Sequence, residues 1–177
     1  MAWRTRARRA AGAAFVVGLG ACTALTGGPA GPCPRVSIVS DAATVTQFAP
    51  GPGRDLIDIE YEAEIVQVAP GCSYGRDGRI TAITTIALVA TRGPAARSGT
   101  ANLVFFVAVI DQNERVLVRA RFGSAVQFDP NRRRAGVEEE IEEIIPLAAG
   151  LDGAAYEILV GFELTGDQLD FNRSRRR

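Results

Sequence analysis

The most restrictive stretch of the chain runs from residue 57 to 65. Ile57, Ile59, Tyr61, Ala63 and Ile65 alternate there with Asp58, Glu60, Glu62 and Glu64. A period of two, apolar on one parity and acidic on the other, marks a strand that buries one face and wets the other. A helix would scatter both kinds of residue around its circumference. At Ile65 and Val66 the phase slips, and Val66 and Val68 become the apolar positions. A β-bulge, or a strand end buried on both faces, produces such a slip. One strand is not stable alone; it needs neighbours in its sheet and a second layer over its apolar face.

The rest of the chain offers those neighbours. Residues 36 to 39 form a short strand. Residues 80 to 91 (ITAITTIALVAT) are rich in β-branched side chains and suit a central strand. Residues 103 to 110 (LVFFVAVI) are apolar on both faces, short and flanked by turns, which favours a core strand over a helix. Residues 115 to 121 alternate Val116, Val118 and Ala120 with Arg and Leu, and Gly123 and Ser124 are placed to bulge that strand before Val126. Residues 156 to 164 give another strand. Turn chemistry separates these runs: Pro50-Gly51-Pro52-Gly53 closes a turn-rich stretch from 41, Pro70 to Tyr74 with Asp77-Gly78 makes a hairpin-like connection, and Asp111 to Glu114 forms a tight turn. Residues 136 to 147 (GVEEEIEEIIPL) fit two periods. Val137, Ile141, Ile144 and Ile145 stand at helical spacing, whereas a strand places Val137, Ile141, Ile145 and Leu147 on one face; Pro146 and the surrounding strands favour the strand. The expectation is an all-β chain: a single antiparallel β-sandwich of about seven strands.

Asp152, Ala154, Tyr156 and Ile158 resemble the tyrosine corner of immunoglobulin-like sandwiches. The resemblance implies a structural role for Asp152 and Tyr156, with the Tyr156 hydroxyl bonded to upstream backbone. Ile158 stands where antibody domains carry Cys. Residues 165 to 169 suit a capped helical turn, so no further strand follows.

The first 30 residues are different in kind. Arg4, Arg6, Arg8 and Arg9 precede an apolar run of small residues, 10 to 21 (AAGAAFVVGLGA). A basic segment, a short apolar segment and small residues at its end make a secretory signal, and the run is shorter than the ~20 residues a spanning helix needs. Leu19, Gly20, Ala21 and Cys22 resemble the lipobox of bacterial lipoproteins. That resemblance implies a signal peptide over 1 to 21, cleavage before Cys22, a diacylglyceryl group on the Cys22 sulfur and an acyl chain such as palmitate on its amino group. Two or three chains hold a protein on a membrane stably. The implied location is the periplasmic side of a bacterial membrane, and Thr23 in place of Asp leans toward the outer membrane. Residues 22 to 32 then serve as the lipidated cysteine and a Gly/Pro tether, 33 to 172 as the sandwich, and 173 to 177 as a disordered basic tail. As a whole the chain resembles small exported lipoproteins of uncharacterised function with immunoglobulin- or fibronectin-like domains.

With Cys22 lipidated, Cys33 and Cys72 remain as a pair, and an oxidising compartment implies a disulfide between them. The chain has no His and its basic residues are all Arg, which removes Ser-His, Cys-His and Ser-Lys chemistry. The acids at Glu60, Glu62, Glu64 and 138 to 143 are explained by alternation. No metal motif or cofactor motif is present, so the expectation is no enzyme, no metal and no cofactor. Residues 34 to 172 hold 12 Arg against 20 acids, a net of −8, which disfavours nucleic acid as a partner. The expected partners are the membrane, through the lipid, and another envelope protein. The alternative is an envelope module that binds a small ligand or a cation.

Overall fold

The computed structural model describes residues 31 to 175; the leader, the lipobox residues and most of the tether lie outside them. Eight strands form two four-stranded sheets that face each other across one core. In the first sheet the order is β1 (Arg35–Ile38), β8 (Tyr156–Phe162), β5 (Thr100–Asp111) and β6 (Val116–Gln127). In the second it is β2 (Thr44–Phe48), β3 (Ile59–Tyr74), β4 (Arg79–Arg92) and β7 (Arg134–Pro146). All neighbours are antiparallel except β1 and β8, which run parallel.

Strand β4 is the centre of the second sheet because it can be satisfied on both edges. It pairs with β3 and β7 over nearly its whole length, and its even positions from Ile80 to Ala90 are all buried. Across from them, Ala101, Leu103, Phe105, Val107 and Val109 of β5 turn inward, with Ile158, Val160 and Phe162 of β8 beside them. Burying a large aliphatic or aromatic side chain is worth roughly 1.5–3 kcal/mol, so this shared layer carries most of the driving force.

The all-β sandwich is as expected, and residues 136 to 146 fall in β7, with Val137, Ile141 and Ile145 facing inward and Leu147 just past its end. Several details differ. Eight strands form, because Thr44–Phe48 pairs with the first half of β3 inside a stretch expected to be turns. Pro70 and Gly71 belong to β3, and the hairpin turn comes later, at residues 75 to 78, where Gly78 takes a φ of 75°. Pro70 is tolerated there because β2 pairs only as far as Glu64, so this half of β3 has a free edge that needs no N–H. The phase slip is a bulge that leaves Val66 unpaired against β4 and exposed. In β6 the register continues through Gly123 and Ser124, and the irregularity falls at Leu117 instead.

The connectivity also departs from the immunoglobulin order. Constant-type domains put the first, second, fifth and fourth strands in one sheet; here the second, third and fourth are consecutive neighbours joined by the seventh. Residues 173 to 175, expected within a disordered basic tail, are ordered instead. Helix α1 (Gly166–Ser174) opens with a capping box between Thr165 and Gln168, and Arg173 and Arg175 are held by Asp41 and Glu62 at 3.0 and 2.6 Å. Gln168 and Asn172, one turn apart, donate to the carbonyls of Thr46 and Thr44, so α1 covers the outer edge of β2.

Candidate functional site

Cys22 lies outside the described residues. The described chain starts beside one end of the sandwich, here called the basal end, where β1 and β8 begin, β3 ends and β4 begins. The other expected site residues gather there. Cys33 and Cys72 are joined as a disulfide with Cα atoms 5.7 Å apart. Two residues further along β3, on the same face, the Tyr74 hydroxyl donates to the Pro32 carbonyl at 2.6 Å and accepts from the Gly153 amide at 2.8 Å. One phenol thus ties the incoming chain to the turn that leads into β8. Gly153 is required by this closeness, since a Cβ there would collide with the Pro32 carbonyl oxygen.

Asp152 caps the short 3₁₀ turn at Gly153–Ala155 by accepting from the Ala154 amide at 3.0 Å. Tyr156 is buried, and its hydroxyl accepts from the Ala148 amide at 3.0 Å and reaches the Pro146 carbonyl at 3.4 Å. The two tyrosines thus bond the loop from residue 146 to 153 near both of its ends. Tyr74 was not singled out by sequence. The signal that could have found it is its spacing of two from Cys72, which on a strand puts both side chains on one face.

Beside this clamp the two sheets part. A groove of about 560 Å³ opens between β6 and the β5–β6 turn on one side and the end of β7 with the following loop on the other. The bulge in β6 explains part of its lining: Val109 pairs with Val118 and Ile110 with Val116, so Leu117 is the extra residue, and Leu117 and Val118 both line the groove. Ile144, Leu147 and Leu151 line the opposite wall. Glu143 also faces in, and burial pushes its carboxyl above the usual range. At the rim, the Arg115 side chain donates to Asp111, which also accepts from the Arg115 and Asn113 amides; this set holds the Asp111 carboxyl down to about 2.

The remaining acids do not converge. Glu60, Glu62 and Glu64 and the even-numbered Glu138, Glu140 and Glu142 occupy the outer face of the second sheet, with β4 between them. Glu139 turns inward and accepts from Ser124 of β6 at 2.6 Å, which joins the two sheets. Tyr61 donates to the Asn102 carbonyl at 2.6 Å, and burial, with Glu60 nearby, raises its phenol. Among the described residues no three His, Cys, Asp or Glu side chains are grouped to hold a metal ion.

No family model matches the chain, and no curated protein matches it. Among solved structures, the variable (V) domain of the Streptococcus agalactiae AgI/II polypeptide BspA is similar at 13% identity over 71% of this chain and 75% of that one, with a TM-score of 0.19. An overlap of that size transfers no residue, ligand or role to this chain.

Proposed function

We propose that this protein is a lipid-anchored protein of a bacterial envelope, held on the periplasmic side of a membrane through Cys22. Its sandwich is a non-catalytic domain that engages another envelope protein. The observation that carries the reading is the lipobox-like run from Leu19 to Cys22 behind an Arg-rich, acid-free leader. The basal clamp supports it. A covalent bridge and a doubly bonded tyrosine secure residues 32 and 33, where a pull on a tether would load the fold. Export also suits a bridged cysteine pair, since such bonds persist in oxidising compartments.

The experiment is expression of the full chain with intact leader, beside Cys22→Ser. The expected result is a mature protein whose N-terminal peptide carries diacylglyceryl and acyl mass and sediments with membranes, while the variant loses both. Equal sedimentation of the two without lipid mass on Cys22 overturns the anchor. Crosslinking in intact envelopes tests the second half of the reading: a heterologous adduct is expected, and recovery of uncrosslinked monomer alone overturns it.

A further inference from the structure

The basal groove assigns a second membrane contact, this one made by the folded body. The described chain begins at Gly31, whose added Cβ would touch the Tyr74 ring, and Tyr74 is bonded through Gly153 to the loop that carries Leu151. The chain therefore arrives at the same end at which the groove opens. Around that opening Leu117, Val118, Ile144 and Leu151 are 49, 44, 56 and 37% exposed. Apolar side chains at a sandwich end are normally covered by the loops that close it; here the β6 bulge and the parting of the sheets leave them open.

We propose that this end rests on the lipid bilayer, with Leu117, Ile144 and Leu151 lodged at the boundary between headgroups and acyl chains. The inference rests on the lipid-anchor reading and goes beyond it, because an anchor alone leaves the body free to face any direction. The argument for a bilayer as occupant is one of length. Cys22 and Gly31 are nine residues apart. Nine residues span at most about 32 Å whatever their conformation. The groove is thus presented to headgroups at high effective concentration, so even a weak contact is occupied. The rim suits that depth. Gln112, Asn113 and the paired Asp111 and Arg115 border the groove, whose walls are apolar apart from Glu143, and an interfacial site joins apolar surface to a polar, hydrogen-bonding margin.

The test uses tryptophan, because the chain's single Trp is Trp3 in the leader and the described body has none. Leu151→Trp and Leu117→Trp place a fluorophore at the groove. Ile57→Trp places one at the opposite end, where Ile57 is 73% exposed and so serves as an equally wet control. Each full-length variant is purified lipidated and reconstituted into vesicles with and without brominated acyl chains. The expected result is a blue-shifted emission that brominated lipid quenches at residues 117 and 151, with no quenching at 57. Adding Ile144→Asp to Leu151→Trp should abolish the quenching while lipid mass on Cys22 is retained. Unquenched groove tryptophans on a protein with intact lipid overturn this inference alone, and absence of lipid mass overturns the anchor reading instead. A blue shift that rises with protein density, without lipid quenching, assigns the groove to a second copy of the chain and also overturns the bilayer contact.

Discussion

Thr84 is the residue whose replacement should most directly raise stability. It sits on an inward-facing position of β4, between Pro70 of β3 and Ile141 of β7, fully buried, and its hydroxyl has no hydrogen-bond partner among the described residues. A hydroxyl taken out of water without a new partner costs roughly 1–3 kcal/mol. Valine has nearly the same shape and fits the same β-branched rotamer, so Thr84→Val removes the cost without opening a cavity. The expected gain is about 1–2 kcal/mol, which for a domain of this size corresponds to a rise in Tm of about 3–8 °C. Thr84→Ser keeps the hydroxyl and loses a methyl, and should fall about 1 kcal/mol below the parent. Urea unfolding of the three proteins, followed by circular dichroism, should give midpoints in the order Val, Thr, Ser at constant m. A valine variant no more stable than the parent would refute the reasoning and show that the hydroxyl is satisfied, for example by a bound water.

Replacing Cys33 and Cys72 by Ala frees a loop of 39 residues and should cost about 4 kcal/mol in the chain-entropy treatment; thermal melts of the double variant, and of the parent with and without reductant, check this. Glu143 has a raised carboxyl, so its contribution is intact at low pH and is lost as pH rises through the folded value. Glu143→Gln should therefore raise Tm at neutral pH, with the difference vanishing on acidification. Asp111 has the opposite sign. Its folded carboxyl is held down to about 2, below the usual carboxylate range, so Asp111→Asn should lower Tm at neutral pH, with a deficit that closes as pH falls from about 4 toward 2. Asn172→Ala removes both donors that α1 gives to the Asp41 and Thr44 carbonyls and should cost about 1–2 kcal/mol, with faster amide exchange confined to the β2 region.

What could be read in advance was what parity decides. Ile59, Tyr61, Ala63 and Ile65 face inward because a strand with one apolar parity has only one good orientation over a core, whereas Ile57, expected on the same face, falls in a 3₁₀ turn ahead of β3 and is exposed. The same rule placed Val137, Ile141 and Ile145 inward once residues 134 to 146 were a strand. What parity does not decide was missed. Thr44–Phe48 is five residues between turn clusters, and it is a strand because β3 offers it an edge and α1 covers the other side. Pro70 and Gly71 look like a turn locally and become strand because only one side of β3 needs partners there. The groove and the Tyr74 clamp depend on how far the two sheets part at one end, a distance that no local pattern records.

The treatment of the sheet edges gives the same conclusion from another direction. A sandwich of open sheets has four edges, and an unprotected one pairs with whatever strand it meets. Here β1 is four residues long, and β2 lies under α1. Strand β7 turns Glu139 and Glu143 inward, and inward charge opposes the addition of another strand. The outer face of β6 carries Arg119, which lies over the Phe106 ring and pairs with Glu163, and Arg121, which reaches the same Glu163 carboxylate. These devices guard the middle and apical parts of the edges. They stop at the basal end, where Leu117 and Val118 of β6 and Ile144 of β7 border one groove and are exposed. On the anchor proposed above, a bilayer within reach of Cys22 would cover that end.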